Sequence, residues 1–438
     1  MTPWIPGPTY EEMLNPVRRP AVANELDPAN LFYTTWRDGD GRVRCQALPR
    51  ELTGVDANIL VLEGRGFPSG SHKVGPAYAT LMEGELAGEI RPGVNTIVGP
   101  STGNFGIGTA YVAKLKGYEA VVIMPEQMSA ERYQRIRQYG GTLDLTPGSE
   151  SDVILVLERT EHYKKDPRYK ILAQFELLPN YRFHRYVTGR SALEAARSHG
   201  NGRVAAFISA PGSAGTLAAA DEIKAAFPDS IVCAPEPEEC STLFNNGRGT
   251  HRIEGIGDKM VTLIHNVLTT DYAMLIHDDD CVVGLDLLEC RQPALERFLQ
   301  LPAGALRSLH GVFGISGICN VLAAIRTARH LGLGKGDNVV TIATDGFDRY
   351  PSVLQDLARR AGEGDPVERF EKVFRGTSRI LDVRSQAEKD RLFQYKEAVW
   401  KTFGYTQAYL DSMKSQSFWD AEYARIREID AALLATRG

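Results

Sequence analysis

From Ala57 onward the chain alternates short apolar runs with glycine-bearing turns and amphipathic stretches. The runs are Ile59–Leu62, Asn95–Val98, Ala120–Ile123, Leu143–Leu145, Ile171–Phe175, Val204–Ile208, Ile231–Ala234 and Asn338–Ala343. Rich in Val and Ile and bounded by turns, they read as strands buried on both faces. Between them, stretches such as Phe105–Lys116 and Ala130–Tyr139 carry helical periodicity. Strand and helix in alternation predict an α/β fold with mostly parallel sheets. Residues 1–40 read instead as a Pro-rich arm with short helical pieces. Residues 376–438 lack strand-like runs, are helical in pattern and carry nine aromatics, among them Trp400 and Trp419. This extension is expected to pack on the body or on a second subunit. A lid over the active site is the other reading.

Composition narrows the class. The 438 residues, 43% hydrophobic and 24% charged, suit two or three globular domains. A net charge of −5 and a pI near 6.1 argue against a nucleic-acid partner, which would need a basic face. No uncharged apolar run approaches the ~18–20 residues of a membrane span. The start, MTPWIPGPTYEEMLNPVRRP, has no apolar core of a secretory signal. The six cysteines form no C-x-x-C pair, which argues against a disulfide framework or a zinc site. Free thiols in a cytoplasmic protein with no bound metal are the expectation.

Functional loops of a parallel sheet lie at the carboxyl ends of its strands. Four such loops are rich in glycine and small polar residues: 69–75, 100–106, 211–216 and 344–350. In the first, Lys73 follows His72 at a helix start among apolar neighbours. Partial desolvation there would make its amine a usable nucleophile or base. An ordinary surface lysine is the alternative. In the second, Ser101, Thr102 and Gly103 open a helix and could bind an anion or simply cap the helix, with Asn104 as a neutral donor beside them. In the third, Gly212, Ser213, Ala214, Gly215 and Thr216 could let backbone N–H groups approach a phosphate. A tight strand–helix turn is the plainer reading. In the fourth, Asp345 at a strand end could meet a cation, a ribose or a protonated ring nitrogen. Together, a nucleophilic lysine, two anion sites and an acid suit a phosphate-bearing aldehyde cofactor and an amino-acid carboxylate.

Over residues 40–360 the motif order resembles the fold-type II pyridoxal-phosphate enzymes, the superfamily of cysteine synthase, cystathionine β-synthase, threonine dehydratase and tryptophan synthase β. LEGRGFPSGSHKVG is similar to the Schiff-base lysine segment, PSTGNFG to the substrate-carboxylate loop and GSAGT to the phosphate loop. Residues 124–148, 173–189, HRIEGIG (251–257) and FGISGICN (313–320) resemble further cysteine synthase segments.

The resemblance implies pyridoxal 5′-phosphate on Lys73, which also shuttles the α-proton. It implies Gly212–Thr216 on the phosphate, with His72 either near it or acting as a cap. It implies Asn104 on the 3-hydroxyl, and Ser101, Thr102, Gly103 and Gln174 on the substrate carboxylate. Aligning TDGFDRY with the family's Ser-x-Gly-Glu-Arg-Tyr sets Asp345 beside the pyridine nitrogen, where an aspartate would stabilise a pyridinium. Asp258-Lys259 replaces a segment that is often apolar.

The implied architecture has two doubly wound, mostly parallel-sheet domains with the cofactor in the cleft between them, plus the helical extension. The larger domain would comprise residues 41–79 and 191–375, and the smaller, mobile one 80–190. A homodimer is implied as well. The expected activity is α,β-elimination on a 3-substituted L-alanine through an aminoacrylate. β-Replacement of the cysteine synthase type is the alternative, and a non-catalytic scaffold a remote one.

Overall fold

The computed structural model describes residues 4–17, 22–101, 103–361 and 364–437. Eleven strands fall into two sheets. They are β1 (Cys45–Ala47), β2 (Asn58–Glu63), β3 (Thr96–Pro100), β4 (Glu119–Pro125), β5 (Thr142–Thr146), β6 (Tyr169–Ile171), β7 (Val204–Ile208), β8 (Ile231–Pro237), β9 (Tyr272–Ile276), β10 (Asn338–Ala343) and β11 (Ile380–Asp382).

The larger sheet runs β1-β2-β10-β7-β8-β9-β11 and the smaller β5-β4-β3-β6. The smaller sheet is parallel throughout. In the larger, β1 and β11 pair antiparallel at the two edges and every inner pair is parallel. The inner strands are apolar on both faces, and β10 is buried along its whole length, as central parallel strands require. Among the described residues no helix is long and apolar enough to cross a membrane.

Three departures from the sequence reading have physical causes. Strand β6 stops at Ile171, where the apolar run 171–175 begins. After one more bond, from Leu172 N–H to the Val98 carbonyl (2.8 Å), the chain turns away. Strand β9 is absent from the predicted runs, although YAMLI is apolar throughout and fully buried. The edge strands β1 and β11 are three residues long and half exposed, so they leave no apolar run to detect. The extension therefore does contain a strand, and it begins by completing the larger sheet against β9.

Beyond β11 the extension packs on the body. Helix Gln386–Trp400 turns Lys389, Lys396 and Trp400 to one side, at spacings of seven and four residues that share a helical face. Trp400 Nε1 donates to the Val261 carbonyl (2.9 Å), and Lys396 Nζ to the Leu263 and His265 carbonyls (3.0 and 2.6 Å). Lys389 Nζ reaches the Val267 carbonyl (2.7 Å) and that of Thr270. One helix face thus supplies donors to the irregular segment 261–270. The last helix, Ile426–Ala435, returns to the amino-terminal arm. There Asp430 accepts from the N–H groups of Tyr10 and Glu11 (2.8 and 3.0 Å), and Arg437 pairs with Glu12 (2.7 Å).

Among the described residues Lys396 has no acidic partner, and burial pushes its amine down to about 7. The neutral amine keeps two N–H groups, enough for both carbonyls. Because the folded value is depressed, the unfolded chain binds the extra proton between about 7 and the ordinary 10.5. Its contribution to stability therefore rises with pH across that window, by at most ~1.4 kcal/mol per unit. In urea titrations at pH 7 and pH 9, the disadvantage of Lys396→Met relative to the parent should grow at the higher pH. An unchanged difference would mean that the amine keeps its proton in the fold.

Candidate active site

The four glycine-rich loops converge between the two sheets around a small, tightly lined cavity. The first leaves β2 through two short 3-10 turns, in which Ser69 is held at φ 61°. Ser71 then bridges to Asp345, and Lys73 caps helix Val74–Leu86. The Lys73 amine reaches into the cavity, where the Ser213 hydroxyl lies 3.3 Å away. Burial lowers its pKa to about 8 against the raising fields of Asp258 and Glu150. An amine so placed spends much of its time neutral near that pH, as a nucleophile or base must.

The second loop leaves β3. Ser101 Oγ accepts from the N–H groups of Gly103 (2.9 Å) and Gly106 (2.8 Å), so this hydroxyl caps its own loop. Gly103 lies directly over Arg132, whose Nη1 would stand 2.1 Å from any added Cβ. Thr102 lies outside the described residues. Asn104 donates to Asp345 Oδ2 (2.6 Å) and accepts from Arg349 Nε (2.7 Å), which locks its amide at the cavity wall. Gln174, at the start of the turn after β6, lines the same wall and reaches the Pro100 carbonyl (3.4 Å).

The third loop leaves β7. Gly212 is required by close approach, because a Cβ there would meet the Gly255 carbonyl oxygen at 2.5 Å. Ser213 Oγ accepts from Asn180 Nδ2 (3.0 Å) and from the Gly215 N–H (3.3 Å), while Thr262 Oγ1 donates to the Ser213 carbonyl (2.8 Å). Ala214 sits at φ 61° in the left-handed region, and Thr216 Oγ1 meets Ser209 Oγ at 2.6 Å.

Beside this turn is a buried pair of imidazoles. His72 stacks on Trp36 (centroids 5.6 Å) and meets His184 edge-on (5.1 Å). Among the described residues, neither ring nitrogen of His72 has a partner, nor does His184 Nε2. Burial holds both imidazoles well below the ordinary pKa, helped for His72 by the Lys73 charge and for His184 by His72 and then Lys73.

Of the expected residues, Lys73, Ser101, Gly103, Asn104, Gln174, Gly212 and Ser213 share this cavity. His72, Gly215 and Thr216 stand behind the turn rather than on the wall, and Ala214 faces a second, adjoining cavity. Asp345 stands beside the cavity rather than on its wall. Neighbouring residues at the end of β10 point to opposite sides, and it is Thr344 that lines the cavity. The Asp345 carboxylate turns inward to Asn104, to the Tyr350 hydroxyl (2.8 Å) and to Arg132 (3.8 Å). Phe105, Phe175, Gly255 and Asp258 complete the wall and are not assigned to the site by the sequence alone.

The geometry has a counterpart in known proteins. Residues 37–345 match the family described as pyridoxal-phosphate dependent enzyme. The chain belongs to that family. Its cofactor is pyridoxal phosphate, and the site fits the group. The buried Lys73 amine faces a turn of small residues, and among the described residues both ring nitrogens of His72 and the Nε2 of His184 are left without partners beside that turn, where a phosphate can use them.

Among the relatives of this pyridoxal-phosphate enzyme is a cysteine synthase of Staphylococcus aureus, 34% identical over 65% of this chain and 84% of its own. A solved cysteine synthase from Entamoeba histolytica shares the fold, at 22% identity and a TM-score of 0.64, over 82% of this chain and 97% of that one. A hydrogen sulfide-producing enzyme from Fusobacterium nucleatum is 26% identical with a TM-score of 0.57, over 68% and 92% of the two chains.

Proposed function

We propose that the protein catalyses α,β-elimination on 3-substituted L-alanines, with Lys73 as the group that takes the α-proton. The observation that supports this most is the Lys73 amine, buried, lowered to about 8 and set across one cavity from the loop 101–104. When bound, pyridoxal phosphate supplies the electron sink for the charge left on the α-carbon. In this reading the N–H groups and hydroxyls of Gly212–Thr216 hold its phosphate, with His72 beside them, and Asn104 orients its ring. Ser101, Thr102, Gly103 and Gln174 receive the substrate carboxylate. Thr344, rather than Asp345, is the strand-end residue placed to meet the ring. Asp345 then acts by fixing Asn104, to which it is bonded at 2.6 Å.

β-Replacement is the second reading, favoured by the likeness to cysteine synthases. Both share the proton abstraction and loss of the β-substituent, and they part only on whether a second nucleophile then adds at the β-carbon. Turnover of L-serine, L-cysteine and O-acetyl-L-serine, with and without sulfide, separates them. Elimination predicts release of 2-oxo acid and ammonia without a second substrate. Replacement predicts that product accumulates only when the nucleophile is added. Absence of any Lys73-dependent turnover would sink both. The homodimer and the cytoplasmic location belong to this proposal, and light scattering of the purified protein checks the first.

A further inference from the structure

Asp258 stands on the wall of the cavity that holds the Lys73 amine. It follows a turn in which Gly255 and Gly257 take φ values of 100° and 79°. The Gly257 N–H donates to the Pro211 carbonyl (3.0 Å), and Thr242 Oγ1 donates to the Asp258 carbonyl, so the backbone here is pinned. The side chain is treated differently. It is only 4% exposed, yet among the described residues no N–H or O–H donates to its carboxylate and no cation lies within ion-pair distance.

Its neighbour Lys259 turns away to Asp152 (2.8 Å). Among the described residues, the charged or titratable groups around the carboxylate are Lys73 across the cavity, Glu236 and His265 on the adjoining one, and the buried Cys240 thiol. A buried carboxyl without donors is costly to keep, and such groups cluster where chemistry needs them. Burial pushes it up to about 7, against the lowering effect of Lys73. A carboxyl in that range exchanges protons readily at neutral pH.

We propose that Asp258 is a second acid–base residue of this site, which gives its proton to the departing β-substituent while Lys73 takes the α-proton. This rests on the elimination reading above and deepens it by naming the substrate class. The Cα–H bond breaks with its proton passing to Lys73 Nζ. The Cβ–O or Cβ–S bond breaks with its electron pair staying on the heteroatom, which takes the Asp258 proton and leaves as water or hydrogen sulfide. The α-carbon pair becomes the new Cα–Cβ double bond. The proton taken by Lys73 then returns, through solvent, to the Asp258 carboxylate, so both groups end the cycle as they began it. No oxidant or reductant enters. An ester substituent departs as a stable anion and needs no such acid, whereas a hydroxyl does. The site is therefore built for free hydroxyl or thiol amino acids rather than for activated esters.

The test compares parent, Asp258→Asn and Asp258→Glu holoenzymes on L-serine, L-cysteine and O-acetyl-L-serine. Asp258→Asn should lower kcat on L-serine and L-cysteine at least ~10²-fold more than on O-acetyl-L-serine, and Asp258→Glu should recover part of that gap. Infrared difference spectra between acid and alkaline pH should show a protonated-carboxyl band in the parent that Asp258→Asn lacks. Equal losses on all three substrates would assign Asp258 a structural part and overturn the proposal. So would a carboxylate that stays ionised throughout, or a parent active on O-acetyl-L-serine alone; both leave the elimination reading standing. A parent inactive on all three, with sulfide or without, overturns that reading as well.

Discussion

Lys73→Ala should lose at least ~10²–10⁴-fold in turnover, the range of a positioned acid–base group, and, on the proposed reading, the covalent anchor for the cofactor. Among the described residues no other amine lines the cavity to replace it. The loss should be catalytic rather than structural. The amine's one hydrogen bond is to Ser213 Oγ, at a long 3.3 Å. Removing its charge also leaves no stranded carboxylate, because Asp258, already near neutrality at about 7, takes up a proton instead. Thermal melts should therefore nearly superimpose with the parent, while the visible absorbance of the cofactor-bound protein is lost. Partial recovery of activity with added small amines would confirm that an amine at this point is what the site lacks. Substantial unaided turnover by Lys73→Ala would remove Lys73 from the mechanism.

The second large effect concerns Arg132, which is fully buried on helix Ala130–Gln138 beside the smaller sheet. Its partners come mostly from chain that serves the larger sheet: Glu254 (3.0 Å), the Tyr350 hydroxyl (2.9 Å) and Asp345 (3.8 Å), with Glu150 at 3.7 Å. Three carboxylates share one guanidinium, and Arg132→Met would leave them buried around an apolar side chain. Breaking a buried pair from one side costs about 3–5 kcal/mol. Arg132→Lys should rescue little, since a point charge cannot reproduce a planar fork.

The pH trend gives a second reading of the same variant. Burial raises the Glu254 pKa, and Arg132 is the first group that lowers it. Without Arg132 the folded value climbs further above the unfolded one, so the native state holds a proton that the unfolded chain has released. Stability of the variant then falls as pH rises above the ordinary carboxylate range. Urea midpoints should show the deficit shrinking from pH 8 to pH 5. A deficit independent of pH would place the damage in packing instead.

The larger architecture was legible because inner parallel strands must be apolar on both faces, and runs such as Val204–Ile208 and Asn338–Ala343 are. The edges of the larger sheet were not, because three half-exposed residues with one antiparallel partner need no pattern at all. The lysine, the glycine turns and Asn104 could be read because each answers to a local rule of backbone or helix start. Thr344 and Asp345 could not be told apart for a related reason. A strand end narrows a site to two consecutive residues, and only the pleat decides between Thr344 and Asp345. Asp258 was visible as an acid in place of an apolar residue, but its bearing on Lys73 comes from the fold of a turn 185 positions further along the chain.

The order in which the chain is made matters to this site. Residues up to 375 carry ten of the eleven strands and every wall residue of the Lys73 cavity. Yet segment 261–270, through which Thr262 steadies the Ser213 turn, takes its donors from Lys389, Lys396 and Trp400. The final helix then fastens the amino-terminal arm through Asp430 and Arg437. A ribosome must therefore release nearly the whole chain before the Gly212–Thr216 turn is braced. Nascent or truncated chains would form sheets without a finished site, so capture of the cofactor becomes a post-release event that reports on completed synthesis.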